Sequence, residues 1–143
     1  MPIPSPTIPP RGQLDIWHVA YPVADLDRSV AFYCEGLGFT LVGRDQESAF
    51  VALGQGGFTL ELIARAKAET ATSSRALDHV AFNAPDLGAY RETLIEAGMS
   101  VPEMQIIGVG MKRFALDDPD GLRLDFFEGR AGFEAFIAGT PAA

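Results

Sequence analysis

The chain has 143 residues, of which 48% are hydrophobic and 21% charged, and its 11 Lys and Arg face 19 Asp and Glu for a net charge of −8. That length suits one compact domain, or two very small modules sharing a core; the acidic balance leaves no basic stripe for nucleic acid, and no apolar run approaches the roughly 18 residues of a membrane-spanning helix. The single cysteine, Cys34, closes no internal disulfide, and the N-terminal stretch lacks the basic and apolar regions of a secretion signal, so a soluble cytoplasmic protein without nucleic-acid or membrane partners is expected.

Residues 1–13, containing MPIPSPTIPPRG, read as a flexible Pro-rich arm. DIWHVAYPV (15–23) alternates in the manner of a strand, and Asp25 then caps a helix on which Leu26, Val30 and Tyr33 recur at helical spacing before Gly36 stops it. Three strands follow at about 38–44, 48–53 and 57–63, with GQGG (54–57) as a hairpin turn and not a phosphate loop, since no helix or Lys-Ser/Thr follows it. A linker rich in Ala, Ser and Thr covers 64–76, and the plan then recurs. LDHVAFNA is a strand, Asp86 a cap, Leu87, Tyr90 and Leu94 a helical stripe ending at Gly98, and strands are predicted at 99–107, 111–116 and 121–127. The tail, 129–143, holds a short helical pattern with Phe133, Phe136 and Ile137.

The two halves, 14–63 and 77–128, are copies of one plan. WHVAYPVADL lies over DHVAFNAPDL, and GFTLEL over GLRLDF, which places Glu61 and Asp125 in the same slot of the last strand of each half. The predicted fold is α+β: two βαβββ modules in a pseudo-two-fold arrangement, forming a curved mixed sheet around a central cavity. Because side chains alternate across a strand, the bulky face of each last strand meets its helix, and the other face carries His18 and Glu61 in one half and His79 and Asp125 in the other. If the halves pair with two-fold symmetry, these four converge. Two imidazoles and two carboxylates suit a divalent transition metal with open positions for substrate; nickel, zinc, cobalt, manganese and iron all accept such donors. Arg44, Lys112 and Arg113 fall near strand starts and are candidate receivers of a substrate carboxylate or phosphate; Arg123 shares a face with Asp125 and is placed to orient it or a substrate anion. Tyr33 and Cys34 read as packing residues.

WHVAYPVADLDRSVAFYCEGLGF, TLELI, LDHVAFNAPDL and DDPDGLRLDFFEG together resemble the vicinal oxygen chelate superfamily of glyoxalase I, extradiol dioxygenases, methylmalonyl-CoA epimerase, fosfomycin resistance enzymes and bleomycin-binding proteins. The order His, Glu, His, carboxylate is most similar to glyoxalase I, a lactoylglutathione lyase. That resemblance implies metal ligation by His18, Glu61, His79 and Asp125, catalysis by the carboxylates Glu61 and Asp125, a small oxygenated substrate that is sometimes a thiol adduct, and a homodimer. Glyoxalase I has Glu where this chain has Asp125. The missing methylene retracts the carboxylate by about 1.3–1.5 Å, which makes Glu61 the expected proton-transferring group. The resemblance also admits a metal-free binding protein of the bleomycin-resistance kind and an extradiol-type dioxygenase, although Glu61 in the ligand set speaks against the latter.

Overall fold

A computed structural model describes residues 16–53, 58–67, 77–108, 110–129 and 139. The N-terminal arm, the GQGG turn, residues 68–76 of the linker and the C-terminal helical pattern lie outside the described residues. In chain order the first half runs β1 (His18–Val23), α1 (Leu26–Ala31) continued by a π-helical turn (Phe32–Gly36), β2 (Thr40–Arg44), β3 (Ser48–Ala52) and β4 (Thr59–Ala64), with a 3-10 turn at Arg65–Lys67. The second runs β5 (His79–Asn83), α2 (Leu87–Glu96), β6 (Gln105–Ile107), β7 (Met111–Asp117) and β8 (Arg123–Glu128). The predicted α+β class of two βαβββ modules holds. The strands form two four-stranded mixed sheets, ordered β1-β4-β3-β2 and β5-β8-β7-β6, each with its first strand parallel to its last.

Both helices start where the sequence placed their caps. Asp25 accepts from the backbone N–H of Arg28 at 3.1 Å, and Asp86 from that of Ala89 at 2.9 Å. Gly98, at φ +86°, ends α2 in the left-handed conformation that a side chain would resist.

Three local features depart from the sequence reading. The chain after Ala31 widens into the π turn, Leu37 N–H bonding to Phe32 O at 3.0 Å, and this keeps Tyr33 fully inside. The strand expected at 99–107 is reduced to Gln105–Ile107: Pro102 has no N–H, and the carbonyls of Val101 and Pro102 accept from Arg91 of α2. In β2 the register slips between Leu41 and Gly43, leaving Val42 out of the ladder and 65% exposed.

The modules share one core. Leu60, Leu62, Val23 and Val51 of the first and Leu87, Leu94 and Leu124 of the second are at most 1% exposed, and Phe39 meets Phe82 across the junction with ring centroids 5.6 Å apart. A polar latch crosses the same junction. Within DDPDG, Gly121 at φ +87° closes a turn in which Asp118 Oδ1 accepts from the N–H of Asp120 and of Leu122, each at 2.9 Å. Asp118 Oδ2 accepts from the hydroxyl of Tyr33 at 2.8 Å and from that of Tyr21, both in the first module. Asp120 accepts from Ala24 N–H at 2.8 Å and from Ser29 Oγ at 3.3 Å.

All three tyrosines of the chain lie in or against this core. Burial pushes the Tyr90 phenol up to about 12, and burial reinforced by the Asp118 charge pushes Tyr21 and Tyr33 up as well. Below about pH 10 the phenols are neutral in both the folded and the unfolded chain; above it the unfolded chain ionises first, and stability falls by up to about 1.4 kcal/mol per pH unit for each. Tyrosinate absorbance is therefore expected to appear together with loss of the circular dichroism signal in an alkaline titration. Absorbance rising near pH 10 with the fold intact would contradict this packing.

Candidate functional site

Leu60 and Leu62 point into the core, so Glu61 between them points out. The register sets Glu61 between Ala20 and Phe50, with His18 two residues before Ala20 on the same face. His18 Nε2 lies 3.5 Å from Glu61 Oε1, and its ring meets Phe50 edge-on at 5.6 Å. Its Nδ1 is buried and finds no hydrogen-bond partner among the described residues.

The second module repeats this with different neighbours. Asp125 sits between Ala81 and Ala115, and His79 stands opposite Arg123. His79 Nε2 is 3.6 Å from Asp125 Oδ2, while its Nδ1 is 2.6 Å from Asp78 Oδ2, a hydrogen bond that holds the Asp78 carboxyl below the usual carboxylate range. In the tautomer that donates Nδ1–H to Asp78, Nε2 presents its lone pair to the Asp125 oxygen. Two facing acceptors favour a cation. Donors about 2.1 Å from a common tetrahedral ion lie about 3.4 Å apart, close to the 3.5 and 3.6 Å observed. Each pair therefore fits half of the coordination shell of a divalent ion.

A full shell is not assembled in one chain. Among the described residues, no three His, Cys, Asp or Glu side chains come near enough to hold an ion together. The four expected ligands are present as two separate pairs, each on the outer face of its own sheet, because the inner faces are the ones that pack into the shared core. The two carboxylates also differ. Asp125 is buried, and its Oδ1 accepts from Arg123 Nε at 2.7 Å with Arg113 Nη2 at 3.5 Å. Glu61 is half-buried, and its ionic contact among the described residues is His18 alone. One carboxylate is held by arginine and the other, among the described residues, is not.

Arg123, which alternation sets on the face of Asp125, contacts that carboxylate, and Arg113, expected only near a strand start, joins it there. Arg44 does not join the site. Strict alternation would set it on the outer face; the slip at Val42 pairs it with Ala49 on the inner face, where it binds Asp27 of α1. Lys112 is likewise paired, with Glu128 at 3.5 Å. Burial and neighbouring Glu35 push the Cys34 thiol up, in keeping with a packing role. Asp78, next to His79 in the sequence, and Phe50, two residues inside β3, escaped the sequence reading. The first was visible as an acid adjoining a candidate ligand; the second needed the β3–β4 register.

The model of the Glyoxalase/Bleomycin resistance protein/Dioxygenase superfamily matches residues 15–126, which takes in β1 and most of β8. The Escherichia coli (strain K12) protein YaeR, itself uncharacterized, is 30% identical over 127 residues, covering 82% of this chain and 98% of the relative. Among solved structures, lactoylglutathione lyase from Agrobacterium tumefaciens superposes with a TM-score of 0.68 at 20% identity, covering 85% of this chain and 98% of that one. The bleomycin resistance determinant encoded on the transposon Tn5 superposes with a TM-score of 0.62 at 24% identity, covering 81% and 98%. At those identities the two structures speak for the fold alone. The family match across both modules, and a relative aligned over nearly its whole length, establish what the doubled His and carboxylate slots suggested: the chain belongs to the Glyoxalase/Bleomycin resistance protein/Dioxygenase superfamily.

Proposed function

We propose that the protein is a metal-dependent lyase or isomerase of the glyoxalase I kind, acting on a small molecule chelated through two neighbouring oxygens, and that two copies of the chain complete each site. The observation that carries this reading is the spacing of His18 Nε2 from Glu61 and of His79 Nε2 from Asp125, 3.5 and 3.6 Å on equivalent outer faces. A homodimer would set His18 and Glu61 of one copy against His79 and Asp125 of the other. Two features support it. β1 and β5 are both edge strands, each with one side unpaired by its sheet, and Ile16 and Trp17, just before His18, are 74% and 83% exposed.

A divalent ion held by these residues would supply Lewis-acid polarisation of the two substrate oxygens. The residues of the chain do the rest. Asp78 sets the tautomer of His79, Arg123 holds Asp125 in its orientation, and Phe50 packs against His18 to keep water from that wall. Glu61, which meets no arginine among the described residues, moves the proton between adjacent substrate carbons. A second reading, a metal-free binding protein, is favoured by one observation only: two arginines already balance the charge of Asp125.

Loading with nickel, zinc, cobalt or manganese, followed by elemental analysis, tests the proposal. About one ion per chain is expected, since a two-fold dimer of half-sites makes two whole ones. His18→Ala and His79→Ala should each lose the ion, and an equal mixture of the two refolded together should regain about a quarter of the wild-type content, because half the dimers are mixed and each carries one intact site. No ion on the wild-type protein overturns the metal reading in favour of simple ligand binding. Ion on the wild type with none regained by the mixture overturns sharing between copies. Turnover is assayed with methylglyoxal and glutathione under each metal.

A further inference from the structure

The repeat makes each outer-face position of one module a control for the other. Along the last strand, Thr59, Glu61 and Ile63 correspond to Arg123, Asp125 and Phe127; across from Glu61 and Ile63 stand Phe50 and Ser48, and across from Asp125 and Phe127 stand Ala115 and Arg113. One module is neutral at these places except for its carboxylate. The other has gained two guanidiniums and has lost the ring across from its carboxylate, with Phe127 in the place of Ile63.

The lost ring leaves space. A cleft of about 310 Å³ opens over Ala115, with Arg113 and Arg123 in its wall and Gln105, Pro102 and Glu103 around it. Both arginines turn a donor to the same oxygen of Asp125, the residue across the ladder from Ala115, so two positive charges share one carboxylate beside the cleft. Arg113 is further held over the Phe127 ring, 5.9 Å from its centroid, and its Nε is buried with no acceptor among the described residues. Glu103 and Asp117 also border the cleft, but both are exposed and neither forms an ion pair with the arginines, so water screens them more than it screens the half-buried guanidiniums. An excess of planar donors beside a cavity suits a ligand with paired oxygens.

We propose that this cleft is an oxyanion subsite in which Arg113 and Arg123 receive a carboxylate or phosphate group of the small molecule whose reacting oxygens lie at His79 and Asp125. The assignment rests on the site reading above for its place next to the chemistry, and it narrows the substrate class to anions. The neutral positions Thr59, Ser48 and Phe50 of the other half-site would then face the uncharged part of the same molecule.

The test is a titration of the purified, metal-free protein with inorganic phosphate and, separately, with malonate, read by the side-chain ¹⁵N resonances of arginine and by the shift in melting temperature. Saturable shifts are expected at Arg113 and Arg123. Arg113→Gln and Arg123→Gln should each weaken binding by roughly tenfold or more, since a charge-assisted bidentate contact is lost. Arg44→Gln, on the opposite face, should change nothing. Should either glutamine variant fail to fold, Ala115→Phe keeps both arginines and refills the cleft with the ring its repeat partner carries, and it too should abolish binding. A stronger response to phosphate or to malonate tells which oxyanion the subsite prefers, and either supports it. Shifts that never saturate, or that persist equally in Arg113→Gln, Arg123→Gln and Ala115→Phe, overturn it. Ion loading on the same preparation separates the two proposals: a protein that loads metal and ignores oxyanions refutes the subsite alone, and one that binds oxyanions and loads no metal refutes the metal reading alone.

Discussion

Replacing Glu61 with Gln is expected to lower kcat by about 10²–10⁴-fold at saturating metal, the usual contribution of a positioned proton-transfer group. The structure distinguishes the two carboxylates by their contacts. Asp125 is clamped through Oδ1 by Arg123 at 2.7 Å with Arg113 at 3.5 Å, whereas Glu61 meets no arginine or lysine among the described residues, only the His18 ring. A base that shuttles a proton must approach one carbon and then its neighbour, which a clamped side chain one methylene shorter does poorly. Asp125→Asn is therefore expected to act on metal affinity, by about 10–100-fold, as loss of an oriented ligand does, with kcat recovering when the ion is supplied in excess. Steady-state kinetics across a metal titration read both effects. A larger loss of kcat at saturating metal from Asp125→Asn than from Glu61→Gln would reverse the roles.

Asp118→Ala should cost about 3–5 kcal/mol of stability, the range for breaking a buried charged network. Asp118 is 4% exposed and accepts four hydrogen bonds, from the hydroxyls of Tyr21 and Tyr33 and from the N–H groups of Asp120 and Leu122. Alanine leaves all four donors without that acceptor in the junction between the modules, and a buried donor left unpaired costs about 1–3 kcal/mol. Against a total stability of about 5–15 kcal/mol such a loss is large. Asp118→Asn keeps an acceptor oxygen for the two backbone N–H groups and should cost less, about 1–2 kcal/mol. Urea unfolding checks both; an alanine variant within about 1 kcal/mol of wild type would show that the apolar contacts, Phe39 on Phe82 among them, hold the modules together without the latch.

The latch shows how far a motif reaches when read along the chain. DDPDG is legible as a turn before the closing strand, since Pro and Gly mark turns by their backbone preferences. Nothing local says that Asp118 and Asp120 bind Tyr21, Tyr33 and Ala24, which lie 85 to 97 residues earlier. Arg44 shows the reverse: its strand is legible from alternation, but a slip of one residue at Val42 pairs it with Ala49 on the inner face. A bulge depends on the partner strand, so period-2 alternation alone passes over it.

Much of this protein was settled by its sequence alone. The repeat, the two capped helices, the order of strands, and the placing of His18 with Glu61 and of His79 with Asp125 on polar faces all follow from alternation and spacing, which are properties of a few consecutive residues. The tertiary structure decided the rest: that among the described residues each pair stands alone on its own sheet, that Arg123 and Arg113 close on Asp125 while Glu61 meets no arginine there, and that a cleft opens over Ala115, opposite Asp125, where the other module has Phe50 opposite Glu61. These depend on which face packs into the common core and on what lies across the ladder. Both are fixed by contacts between residues far apart in the chain.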